Sequence, residues 1–164
     1  MFSSVIFLLV TSLSLGSESW IIREEGTGPV KIGMTVNQLR KVLQQQVGPS
    51  DAPSGDDSCF YLQPKGHPHI SFMIIDNRLV RIDVDHAGIV TSTRIQIGDS
   101  EARALKMYAG RIEVSPHKYI DNGHYLTAKS ADGKYGIRFE TENGKITSFY
   151  SGTYEAIQYV EGCL

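Results

Sequence analysis

One short pattern constrains this chain more than any other, because it occurs twice. Val30-Lys31-Ile32-Gly33-Met34-Thr35 runs a short strand into a glycine and then into a threonine suited to cap a helix. Arg94-Ile95-Gln96-Ile97-Gly98-Asp99-Ser100 repeats that order, and Ile32-Gly33 and Ile97-Gly98 are offset by 65 (97 − 32). Further along, Tyr61-Leu62 answers Tyr125-Leu126 at 64 (125 − 61), and Ile70-Ser71-Phe72 answers Ile137-Arg138-Phe139 at 67 (137 − 70). Asn77-Arg78-Leu79 and Gly144-Lys145-Ile146 keep the same 67 (144 − 77). An offset that drifts only by small loop insertions, with element order intact, is the signature of a duplicated supersecondary unit.

Local signals fill in each unit. Pro29 to Ile32 reads as a strand, and Thr35 with Gln38 three residues on forms a capping box. Val36, Leu39, Val42 and Leu43 then lie on one helical face, and Gly48-Pro49 stops the helix. Residues 50–58 are a Pro-, Gly- and Asp-rich loop. Strands are expected at Cys59 to Leu62, His69 to Ile75 and Leu79 to Val84, the last two joined by a tight turn at Asp76-Asn77-Arg78. In the second unit Ile95 and Ile97 form the strand, Asp99 and Ser100 cap a helix, and Ala102, Leu105 and Tyr108 supply its buried face. A short strand at Ile112 to Val114 precedes a meander of Tyr125 to Lys129, Gly136 to Thr141 and Lys145 to Ser151, where Asn143-Gly144 is a strong hairpin signal. Tyr154 to Val160 closes the chain as a strand or short helix. The expected fold is α+β, with two tandem αβββ repeats (20–91 and 92–164) in one compact domain, each with a helix on antiparallel sheet.

Residues 1–19 read as a secretory signal: the apolar run Val5 to Val10 is too short to span a bilayer and small residues follow it. Two cysteines in an exported chain, Cys59 and Cys163, are most simply one disulfide. Its loop of roughly a hundred residues corresponds to about 4 kcal/mol in the loop-entropy model. The expected location is periplasmic or secreted, without stable membrane insertion after cleavage. Lys+Arg 16 against Asp+Glu 18 gives no electrostatic reason to expect nucleic acid.

Catalytic signatures are sparse. There is no G-x-S-x-G, no G-x-G-x-x-G and no P-loop. His67 and His69 flank Pro68, and Asp83, Asp85 and His86 form the densest polar cluster, which makes them the candidates for a small metal-dependent hydrolase. Alternation nevertheless reads Asp83 as the solvent face of a strand. His117 and His124 lie near Tyr119, Asp121 and Tyr125 without a spacing that demands acid–base chemistry. No cofactor and no metal are expected. The tyrosines fit a binding role better, because Tyr offers a large rigid surface with a polar tip. Trp20, Tyr119, Tyr125 and Tyr150 are the candidate contacts on an open sheet face, with the loop Asp51 to Asp57 as an insertable element.

The strand–Gly–Thr/Ser–helix opening followed by a meander, twice over, resembles the tandem-repeat fold of the β-lactamase-inhibitor-protein-like proteins. Ile32 to Leu39 (Ile-Gly-Met-Thr-x-x-x-Leu) is also similar to the opening of small outer-membrane assembly lipoproteins, although no lipidation cysteine follows the apolar run. The tail Tyr159 to Cys163 resembles that of uncharacterised exported bacterial proteins. These resemblances imply a non-enzymatic module that binds a protein partner, with a secreted hydrolase that it inhibits as one expectation and an envelope assembly role as another.

Overall fold

The computed structural model describes residues 20–49 and 58–163. The proposed signal segment and the Asp51–Asp57 loop lie outside the described residues.

The fold is α+β, built on one antiparallel sheet of eight strands. Helix α1 (Val36–Val42) is followed by β3 (Val47–Pro49), β4 (Cys59–Pro64), β5 (Ile70–Ile75) and β6 (Arg78–Val84). Helix α2 (Glu101–Met107) is followed by β7 (Ile112–Pro116), β8 (His124–Lys129), β9 (Tyr135–Glu142) and β10 (Lys145–Thr153). The strand order is β3-β4-β5-β6-β10-β9-β8-β7, so the last strand of each run meets the other at the centre. There Asp83 pairs with Tyr150 and Ile82 with Ser151. A two-residue ribbon, β1 (Gly26–Thr27) with β2 (Val30–Lys31), precedes α1.

Both helices open in the same way. The Gly33 N–H (φ 91°) donates to Leu79 O at 2.7 Å, and the Gly98 N–H (φ 90°) donates to Ile146 O at 2.8 Å. The positive φ is the reason a glycine stands at each turn. Thr35 bridges to Arg78, and Ser100 bridges to Lys145. Thr35 and Gln38 form the full capping box, whereas Ser100 caps with its side chain alone.

Helix and hairpin positions match the sequence reading, and four details differ. Each helix is followed by four strands, because Val47–Pro49 pairs with Leu62 to Pro64 at the sheet edge. A Gly-Pro pair reads locally as a helix stop, but proline is tolerated on an edge strand. Ile95 and Ile97 form no strand, and Pro29 to Ile32 shrinks to the two residues of β2. Tyr154 to Val160 holds a short 3-10 helix, Ala156–Gln158, one of the two forms expected there. In α2 the buried residue is Ala104, followed by the cap Tyr108, while Ala102 is exposed.

The core lies between the helices and one sheet face. Val36, Leu39, Leu43, Ala104 and Tyr108 pack on Ile70, Phe72, Ile82, Leu126, Phe139 and Phe149. Strand alternation puts the other residues of the same strands on the opposite, helix-free face.

Candidate binding face

Three rows of side chains cross the helix-free face. The first runs Tyr61, Met73, Arg81, Gly152, Gly136, as the pairings of β4, β5, β6, β10 and β9 dictate. The second runs Ser71, Asp83, Tyr150, Arg138, Thr127. Glu140 and Tyr125 pair in the third. This face is therefore charged and aromatic where the opposite face is apolar.

Two segments roof part of it. The C-terminal residues 154–163 cross above the first row and end at the disulfide between Cys59 and Cys163, whose Cα atoms are 5.3 Å apart. Arg81 anchors them: its Nη1 donates to Ala156 O at 3.2 Å and Tyr159 O at 2.6 Å, and its Nη2 to Tyr61 Oη at 3.0 Å. The loop 117–123 covers the third row. His117 stacks on Tyr125 with centroids 4.4 Å apart, and its Nε2 lies 3.3 Å from Glu140 Oε2. His117 Nδ1 accepts from the Tyr119 N–H at 3.1 Å, which fixes the loop backbone. Segment and loop meet where Tyr119 Oη donates to Glu161 and Lys118 Nζ lies 3.1 Å from the same carboxylate.

Electrostatics follow from this half-closed setting. Burial pushes the Asp83 carboxyl up to about 6, only partly offset by Arg81, whose Nε is 2.8 Å from Asp83 Oδ1. Burial alone would lower Arg81, but Asp83, Tyr61 and Tyr150 outweigh it and hold the guanidinium more firmly charged. Among the described residues Asp83 Oδ2 has no hydrogen-bond partner. Burial, then the Glu140 charge, raises the Tyr150 phenol, which donates to Glu140 Oε1 at 3.0 Å. Tyr61 is raised by burial first and Asp83 second. At the rim, the Tyr119 hydroxyl and Lys118 lower the Glu161 carboxyl.

The four contacts expected from sequence do not form one surface. Tyr119 is 59% exposed and displayed. Tyr125 and Tyr150 stand on the expected face but are each only 5% exposed. Tyr125 is sandwiched between His117 and the Arg138 guanidinium, and Tyr150 lies under Arg81, 4.5 Å from its ring centroid. Both rings are therefore buried within the face. Trp20 is on the other side, stacked on His67 at 4.0 Å and against core Phe72 at 6.3 Å. Tyr159, on the C-terminal segment, is 39% exposed. Its local sequence carries no signal distinguishing it from the other tyrosines.

The polar clusters also separate. Asp83 turns toward Arg81 and is not the fully solvated strand residue that alternation alone predicts, because Arg81 pairs with it and Tyr150 and Ser71 flank it on the neighbouring strands. Asp85 instead pairs with His69 at 3.1 Å, and His86 stacks on His69 at 4.2 Å. His124 joins Glu101 at the start of α2, away from His117. No group of three or more metal-ligating side chains occurs among the described residues. A hollow of about 410 Å3 lies at the β7–β8 margin, lined by Arg111, Glu113, Thr127, Lys129 and Tyr154, apart from the Arg81 cluster. Among the described residues no helix is long and apolar enough to cross a membrane.

No family model matches the sequence, and no curated protein matches it. Among solved structures, a DUF4309 family protein (YjgB) from Bacillus subtilis subsp. subtilis str. 168 is similar over 82% of this chain and 88% of its own, at 11% identity and a TM-score of 0.49.

Proposed function

We propose that this chain is an exported, non-enzymatic protein-binding module that uses the roof of its helix-free face as the contact surface. The observation that carries the reading is the presentation of Tyr119. Its ring is exposed, yet its backbone N–H is held by His117 and its hydroxyl by Glu161. An aromatic anchor fixed before binding loses little conformational freedom on association. Tyr159, whose hydroxyl donates to Glu155 at 2.9 Å, extends the same roof. The disulfide supports a periplasmic or secreted location, where such bonds persist. The matching hydrogen bonds at Gly33 and Gly98 support a tandem duplication, now with four strands per unit, as does the pairing of β6 with β10. They favour the inhibitor-like resemblance as the first guide to partners, with a secreted hydrolase as the partner class.

The test uses the oxidised chain from Trp20 onward, immobilised beside a Tyr119→Ala/Tyr159→Ala variant, with secreted hydrolases of known activity as analytes. Binding of one hydrolase, its inhibition in solution, and loss of both in the variant are expected. Equal binding by the variant removes this surface. Retention of envelope assembly proteins with no effect on any hydrolase would replace inhibition by an assembly role.

A second reading, acid–base chemistry, is favoured only by Asp83, whose raised carboxyl is a feature of catalytic sites as well as of buried ion pairs. Turnover of ester or glycan substrates that disappears in Asp83→Asn would establish it.

A further inference from the structure

We propose that the C-terminal segment 154–163 is a redox-released strap: reduction of Cys59–Cys163 lifts it from the helix-free face while the eight-stranded sheet stays folded. This inference does not rest on the partner-binding reading, although the strap carries Tyr159 and the Glu161 that holds Tyr119.

The strap sits in a seat made for it. Gly136 and Gly152 pair across β9 and β10, and a Cβ on Gly136 would lie 2.6 Å from Ile157 Cδ1 and 2.8 Å from Ala128 O. The missing side chain at Gly136 leaves the notch that fully buried Ile157 fills. Beyond Tyr154 the strap adds no rung to the sheet. Its Gln158 and Tyr159 N–H groups donate to Glu155 and Ala156 within the strap itself. Its links to the face are side-chain ones: Arg81 to two strap carbonyls, Arg138 to the Gln158 side chain, and Tyr119 with Lys118 to Glu161. Tyr154, whose N–H donates to Lys134 O at 2.9 Å, marks the hinge. Opening therefore breaks no strand pairing, and the only covalent restraint is at the far end.

Of the two bridged cysteines, Cys163 is buried and Cys59 half-buried, so access favours attack at Cys59. A thiolate of a dithiol reductant forms a bond to the Cys59 sulfur, the Cys59–Cys163 bond breaks, and Cys163 leaves as a thiolate that takes up a proton. The second thiol of the reductant then displaces Cys59, which is protonated in turn. The reductant ends as a disulfide, having given two electrons. The strap is freed in the first of these steps. Its departure uncovers Tyr61 and Met73, which are buried together with Cys163, and strips Arg81 of its carbonyl partners.

The experiment compares amide hydrogen exchange of the full chain, oxidised and reduced by dithiothreitol, resolved by residue. Without the bridge, the loop-closure restraint on a strap of about ten residues is lost, so the Gln158 and Tyr159 amides should exchange about a hundredfold faster. Strand amides of β9 and β10 should be unchanged. As a second readout, the Cys59→Ser/Cys163→Ser variant should let dilute peroxide oxidise Met73, which the disulfide-bonded protein protects. Unchanged strap exchange and a protected Met73 would overturn the proposal. So would equal acceleration across β9 and β10, which would make the bridge a guard of the whole fold.

Discussion

The two faces of this sheet are made from the same strands and behave as different materials. On the helix-covered face, Phe72, Ile82, Phe139 and Phe149 exclude water and bury apolar surface without directional demands. On the helix-free face, the alternate residues Arg81, Asp83, Arg138 and Glu140 need partners: Asp83 finds Arg81 on its own strand, and the others find at least one across a strand or in a remote segment. The first face supplies stability that is insensitive to pH and redox state. The second supplies a defined arrangement that both conditions can change.

The strongest way to break this contrast is to remove a ring from the apolar face. Phe149→Ala deletes a side chain with no exposure and should cost about 3–5 kcal/mol in denaturant unfolding, equally at pH 5 and pH 7. A cost that varied with pH would mean the two faces are coupled.

The next effect belongs to Asp83. Folding raises its carboxyl from 3.8 to about 6, so the native state favours the protonated form. The stability this contributes is fully present below about pH 4 and is lost as pH rises through 6. A shift of that size corresponds to about 3 kcal/mol. Unfolding measured at intervals from pH 4 to pH 7 should therefore show wild type losing stability relative to Asp83→Asn. Parallel curves would show that Arg81 fully compensates the buried charge.

A smaller comparison tests the two helix starts. Thr35→Ala breaks a complete capping box and should cost about 1 kcal/mol. Ser100→Ala should cost less, since residue 103 is Arg and no reciprocal side-chain bond exists. Reversal of that order would place more of the folding energy at α2.

The smallest stability effect is expected at the displayed tyrosine. Tyr119→Ala should change unfolding by no more than about 0.5 kcal/mol, as an exposed ring on a loop does. A larger loss would make Tyr119 a brace of the roof and not a contact.

Much of this architecture is legible locally. Thr35 and Gln38 announce a helix start because the capping box closes within four residues. Asn143 and Gly144 announce a hairpin because both adopt positive φ, at 49° and 74°. The pairing of Cys59 with Cys163 was legible for a simpler reason, since two cysteines leave one intramolecular choice. The edge strand at Val47–Pro49 was not, because three residues with Gly-Pro satisfy two local rules at once and only β4 decides between them.

The candidate site was less legible than the fold. Tyr125 and Tyr150, expected on an open sheet face, stand on the helix-free face. Their burial depends on His117 of the loop and Arg138 beside Tyr125, and on Arg81 over Tyr150. The sequence by itself determined the period of each strand, the helix starts and the covalent pairing, since these are set by neighbours a few residues apart or by chemical identity. Only the tertiary structure decided that Asp83 is enclosed beside Arg81, that Trp20 lies across the sheet from Tyr119, and that Tyr119 and Tyr159 remain displayed. Desolvation and side-chain pairing are set by whatever packs above a residue, and here that comes from up to 78 positions away along the chain.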